Sequence, residues 1–174
     1  MSMACAMLTE VIGLTLFPAT MAFAAASDLL TMTIANRISL ILVAGFAVVA
    51  VLGGLNGGAL FSHLAAGIAV LAVAFLCFTC RWIGGGDAKL AAATTLWFGF
   101  GSLLDYLVYA SILGGALTLL VILFRTMPLP AVLAGSEWAE RLHRPDAGIP
   151  YGIALAAAAL IVYSQSEWMV RLAR

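Results

Sequence analysis

The chain has 174 residues, of which 64% are hydrophobic and 9% charged, with eight basic and eight acidic side chains and no formal net charge. Its mean hydropathy of +1.13 describes more apolar surface than a water-soluble domain of this length can bury, which excludes a soluble globular protein and makes the bilayer the solvent. No basic patch exists to bind nucleic acid. The length allows one membrane-embedded domain over residues 1–174, and no polar stretch is long enough for a second.

The first apolar run, about Leu8 to Ser27, has two readings. VIGLTLFPATMAFAAAS resembles a secretory leader cleaved near Ala26, but no Lys or Arg precedes Arg37 and Glu10 occupies the place of a positive n-region, which favours a retained span. Five further runs follow: Ile38 to Leu52, Ala59 to Cys80, Ala88 to Leu104, Tyr106 to Phe124 and Tyr151 to Met169. The expected fold is an all-α integral membrane protein, a bundle of about six transmembrane helices. A crossing helix takes about 20 apolar residues, so the second and fourth runs are short. Only Gly99 to Asp105 divides the fourth from the fifth, as a tight helical hairpin. The connection from Arg125 to Pro150 contains SEWAERLHR. That segment reads either as a surface helix with Trp138 and Leu142 toward lipid and Glu137, Glu140 and Arg141 toward water, or as a solvated loop.

With six spans, Arg37, Arg81, Lys89, Arg125, Arg141 and Arg144 fall on one side and only Arg171 and Arg174 on the other, which places the first group in the cytoplasm. Cys77 and Cys80 form a CxxC inside an apolar run with no second pair to complete a zinc site, and Cys5 stands apart, so all three read as small apolar packing residues.

Most acidic residues have plain explanations. Glu10 and Glu167 lie near outer helix ends, Glu137, Glu140 and Asp146 in the long loop, and Asp105 at the outer hairpin. Asp28, closing the first span, and Asp87, opening the fourth, remain, and the topology puts both at one cytoplasmic depth. An ionisable group there costs free energy unless paired or hydrated. Taken singly, either reads as a cap: Asp87 suits the positive end of its own helix, whereas Asp28, at the negative end of its span, would have to cap a short helix running toward Arg37. Taken together they form a candidate acid pair. Two close carboxylates cannot both ionise easily, so one keeps a proton while the other is charged, and they titrate as a unit. The charged member can draw a proton from water while the neutral member donates to a peptide carbonyl. That is aspartic proteolysis, and it requires neither metal nor cofactor.

The segment Ile83 to Lys89, IGGGDAK, fits this chemistry. Without a β-carbon, Gly84, Gly85 and Gly86 can take positive φ and let an extended substrate strand lie beside Asp87. A phosphate-binding loop is the rival reading, but the GxxxxGK[ST] spacing is missing and Asp87 would repel phosphate.

These residues resemble a known family, the type IV prepilin peptidases, which group with preflagellin peptidases and presenilins as GxGD aspartic proteases. Gly84 to Leu90 resembles the family's GxGDxKL segment. Asp28 to Arg37 resembles its first-aspartate segment, in which Ile-Pro-Asn follows the Asp after five residues, with Ala35 here in place of the proline and a looser turn expected. Pro150-Tyr151-Gly152 is similar to the aromatic-glycine motif opening the last helix. The resemblance implies Asp28 and Asp87 as catalytic residues and, as substrates, prepilin-like proteins whose leader is cut just before a hydrophobic helix. It further implies a multi-pass protein of the bacterial inner membrane, in contact with lipid, with its site facing the cytoplasm. The two CxxC pairs of the bifunctional members' methylating domain are absent, so no methyltransferase activity is expected. The chain looks like the short form found with Flp/Tad pili.

The supporting residues are read in the same way. Lys89 steadies the active-site charge, contacts substrate or snorkels to the cytoplasmic surface. Asn36 and Arg37 hold the first-aspartate loop, Arg37 doubling as a topology anchor. His63 reads as a helix-to-helix hydrogen-bonding group, and His143 has no identifiable partner. A proton- or ion-coupled transporter using the same carboxylates is the alternative, and a non-catalytic assembly subunit is a third possibility.

Overall fold

The computed structural model describes residues 3–166, and all of their regular structure is helical. Seven helices occur among them: α1 Met3–Thr31, α2 Asn36–Leu52, α3 Gly57–Thr79, α4 Gly85–Phe98, α5 Leu103–Thr126, α6 Glu137–His143 and α7 Tyr151–Ser164. Each of the six apolar runs is a helix, with shifted ends. Arg171, Arg174, Glu167 and the end of the sixth run lie outside the described residues.

Three stretches, Met7–Thr31, Gly57–Thr79 and Leu103–Thr126, are long and apolar enough to cross a membrane. α2 and α7 are apolar but shorter. α4 has 14 residues, about 21 Å at 1.5 Å per residue, and does not reach Leu104 as the sequence suggested. Gly99 ends it: this residue takes φ +59° as the C-cap, and its N–H returns to the Thr95 carbonyl. Pro18, by contrast, lies inside α1 without ending it.

Four helices form a ring in which α1 packs on α2, α2 on α4, α4 on α7 and α7 on α1, while α3 lies against α4 and α5 against α7 outside it. Fully buried Phe17, Met21, Leu42, Leu90 and Trp97 fill the centre. The Phe17 ring stacks on Tyr163 at 4.2 Å and tilts against Trp97 at 5.1 Å, geometries that add to the burial of area. Both polar tips are satisfied across the ring, since Trp97 Nε1 donates to the Leu42 carbonyl at 3.0 Å and Tyr163 Oη to the Gly13 carbonyl at 2.8 Å. Buried Ala154, Ala156, Ala158 and Ala159 on α7 let neighbouring backbones approach closely. Outside, Phe61, Val73, Phe75, Leu119 and Leu120 are exposed, an apolar surface that suits lipid contact.

One end of the bundle gathers the end of α1, the start of α2, the start of α4, the end of α5 and the start of α7. Gly86 lies against Ile34, Gly152 against Asp28, and Arg125 binds the carbonyls of Ala147 and Gly148. The far end brings the start of α3 onto the end of α4, where His63 Nδ1 hydrogen-bonds the Leu96 carbonyl at 2.7 Å. This is the helix-to-helix bond the sequence suggested for His63. The α4 to α5 connection is short, as expected of a hairpin.

Within the 125–150 connection the helical reading holds, in altered form. α6 has seven residues, packs on α5 and α1, and buries Ala139 fully. Arg141 is half-exposed, and its guanidinium also donates to the Leu30 carbonyl at 2.8 Å, on the last turn of α1. His143 sits edge-on to Phe124 with ring centroids 5.2 Å apart. The CxxC cysteines are free thiols at the end of α3; Cys80 is exposed and Cys77 half-buried.

Candidate active site

Asp28 lies inside α1, three residues before its end rather than at its close, and is 5% exposed. A buried carboxylate costs several kcal/mol unless its lone pairs are satisfied. Here Asp28 Oδ2 accepts the Gly152 N–H at 2.7 Å. Gly152 is the second residue of α7, so this N–H is one of the four without an intrahelical partner. Asp28 therefore caps α7 from another helix, and the short helix toward Arg37 does not use it: the N-cap of α2 is Ala35, with no side-chain bond. A hydrogen bond to a charged group contributes about 1.5–3 kcal/mol and the positive end of a helix about 0.3–1 kcal/mol more. Together these are of the order of the burial cost.

Asp87 is the third residue of α4, and its carboxylate turns back toward the N-cap, Gly84. Asp87 is half-buried, inside the electrostatic field of Asp28. α4 and α7 begin at the same end of the ring, so each carboxylate faces the positive end of a helix.

The glycines work by absence of a side chain and not by their backbone angles. Among the described residues positive φ occurs at Gly54, Gly99 and Gly135, and at Met32 and Arg81, but not at Gly84, Gly85 or Gly86. The freedom to take positive φ is not used in that segment. A β-carbon on Gly86 would stand 3.0 Å from Ile34 Cβ and 3.3 Å from its carbonyl oxygen, and one on Gly84 would stand 2.8 Å from Asp87 Oδ2. Gly85 faces the Phe78 ring. Gly152 is the tightest of these four, since a β-carbon there would meet Ile34 Cδ1 at 2.7 Å and Asp28 Oδ2 at 2.8 Å. Ile34 is thus a shared wall, touching the start of α4 and the start of α7 at once.

The other residues singled out from the sequence divide. Asn36 and Lys89 meet each other: Lys89 Nζ donates to Asn36 Oδ1 at 2.8 Å. Two residues on a helix are about 200° apart, so Lys89 looks away from the side of α4 that carries Asp87 and braces the start of α2. Arg37 is exposed. Pro150 is buried as the N-cap of α7. The Tyr151 ring packs on Gly114 of α5 and its hydroxyl lies 2.9 Å from Thr118 Oγ1, away from the aspartates. Ala35 has φ −67° and ψ 141°, the geometry of a proline at that place, so the turn after Asp28 is not loosened by its absence.

Sequence reasoning missed Ile34 as a wall, although it lay within the quoted first-aspartate segment, and missed the part played by Arg125 and Arg141, whose partners are backbone carbonyls. Among the described residues no three His, Cys, Asp or Glu side chains converge to hold a metal.

Residues 15–119 match the family model of type IV leader peptidases, a stretch that includes both aspartates and most of the ring. Comparison with curated proteins gives no match, and neither does comparison with solved structures.

Proposed function

Given that the chain belongs to the type IV leader peptidase family, a family of aspartic peptidases, we propose that it is a membrane endopeptidase that cuts the leader from prepilin-like proteins with Asp28 and Asp87 as its acid pair. The observation that carries this reading is that Ile34 touches both Gly86, the neighbour of Asp87, and Gly152, whose N–H holds Asp28, so that three helices meet there at one end of the ring. One carboxylate, charged, takes a proton from the attacking water, and the other, protonated, donates to the scissile carbonyl. The Gly152 N–H fixes the orientation of the Asp28 carboxylate, and the Asp87 carboxylate turns back against Gly84 at the start of its own helix. The substrate's hydrophobic helix stands in the bilayer, and its leader crosses the aspartates as an extended strand.

On this reading residues 1–174 form one peptidase domain of about six spans in the bacterial inner membrane, with the site on the cytoplasmic face, no cofactor and no methyltransferase activity, acting with Flp/Tad-type pili. Gly84, Gly85, Gly86, Asn36, Arg37, Lys89, Pro150, Tyr151 and Gly152 form and brace the loops around the pair. No observation favours a transporter: Asp28 lies in the last turn of α1 and Asp87 in the first turn of α4, neither midway along its helix. The test is processing of a co-expressed prepilin. Asp28→Asn and Asp87→Asn each abolish the mobility shift while the protein still inserts in the membrane; undiminished processing by either variant removes that residue from the catalytic role.

A further inference from the structure

Arg125 closes the last turn of α5 and is half-buried. Its Nε donates to the Leu142 carbonyl at 2.9 Å, and one terminal nitrogen donates to the carbonyls of Ala147 at 2.9 Å and Gly148 at 2.8 Å. These acceptors belong to two segments, the last turn of α6 and the loop that leads into α7, and each segment touches Asp28 or its immediate surroundings. Four residues beyond Gly148, and past buried Pro150, the Gly152 N–H holds the Asp28 carboxylate at 2.7 Å. One residue before Leu142, Arg141 holds the Leu30 carbonyl, two residues past Asp28. The loop between has only short-range bonds of its own: Arg144 N–H to Arg141, Ala147 N–H to Arg144, Tyr151 N–H to Ile149, and the exposed Arg144–Asp146 ion pair. A single planar guanidinium, with donors in a rigid fork, thus sets both routes by which the chain reaches the first aspartate.

We propose that Arg125 is a positioning residue for Asp28: it acts through Gly152 and through α6, and it touches neither substrate nor the reacting atoms. The catalytic part of this inference rests on the peptidase reading; the structural part does not. Displacing one member of an acid pair by a fraction of an ångström lowers the rate of the chemical step, while substrate still binds along surfaces that Arg125 does not form.

The test has two arms. In the first, purified protein processes a synthetic prepilin peptide at a series of concentrations. Arg125→Ala lowers kcat on the order of tenfold to a hundredfold with KM unchanged, and Arg125→Lys recovers part of the loss, since an ammonium can reach the Ala147 and Gly148 carbonyls but lacks the fork that also reaches Leu142. A rise in KM with kcat intact overturns the proposal. The second arm needs no activity. With Cys5, Cys77 and Cys80 replaced by Ala, a single cysteine is placed at 28 or at 87 and labelled with a water-soluble maleimide. Arg125→Ala speeds labelling at 28 severalfold and leaves 87 unchanged; no change at 28, or equal change at both, refutes the clamp. If wild-type protein processes no peptide, the peptidase reading fails by itself, and labelling still decides whether Arg125 fixes the surroundings of position 28.

Discussion

Replacing Gly152 with alanine tests the geometry of the site through one added methyl. The new β-carbon would lie 2.8 Å from Asp28 Oδ2 and 2.7 Å from Ile34 Cδ1, where ordinary contact begins at 3.4 Å. Ile34 can yield by a small side-chain movement. Asp28 cannot yield freely, because the oxygen under pressure is the one held at 2.7 Å by the N–H of the same residue. A retreat of about 0.6 Å takes that bond beyond the usual range for N–H···O. Losing a hydrogen bond to a charged group costs about 1.5–3 kcal/mol, which corresponds to roughly a 10- to 150-fold fall in rate if it is expressed in the transition state. Overpacking adds about 1–3 kcal/mol of lost stability. The assay is peptide processing normalised to folded protein in the membrane. Gly115→Ala serves as the control, because nothing lies within 4 Å of a β-carbon at that position and alanine favours a helix by about 0.5–1 kcal/mol over glycine. Wild-type processing by Gly152→Ala would refute the reasoning that ties Asp28 to the start of α7.

Three other outcomes follow from the same contacts. Ala35→Pro raises thermal stability by about 0.4–1 kcal/mol, because the native φ already matches proline and the unfolded chain loses freedom; a fall in melting temperature contradicts this. Lys89→Met and Asn36→Ala each lower activity less than tenfold, and the double variant loses no more than the larger single loss, since both remove one shared bond; additive losses would show a separate task for Lys89. Trp97→Phe leaves the buried Leu42 carbonyl without its indole donor and opens space in the ring, lowering stability by about 2–4 kcal/mol. Its specific activity per folded molecule stays unchanged, and a loss of activity without loss of stability would mean that the ring core does more than hold the helices.

Much of this architecture was legible before any coordinates. The apolar runs located every long helix because lipid permits only segments that satisfy their own backbone, and the two carboxylates stood out because charge is so scarce in this chain. What escaped notice has physical reasons. The end of α4 was placed six residues late because an apolar run looks the same on either side of Gly99, and only the left-handed turn at that glycine breaks it. Asp28 was expected at the close of its helix because hydropathy falls there, whereas its partner, the Gly152 N–H, is a backbone group 124 residues away that no composition marks. The Arg125 and Arg141 contacts end on carbonyls and leave no pattern of residue types. Lys89 is different: its spacing from Asp87 turns it to the other side of the helix, and that much was readable from the period of 3.6 alone.

The most direct test of the account is the mass of the products formed when purified protein, in lipid, meets a synthetic prepilin peptide. The account predicts a single cut just before the hydrophobic segment, made by the wild-type chain and by neither Asp28→Asn nor Asp87→Asn. An intact peptide with the wild-type chain, or the same two products from either substituted chain, would contradict it.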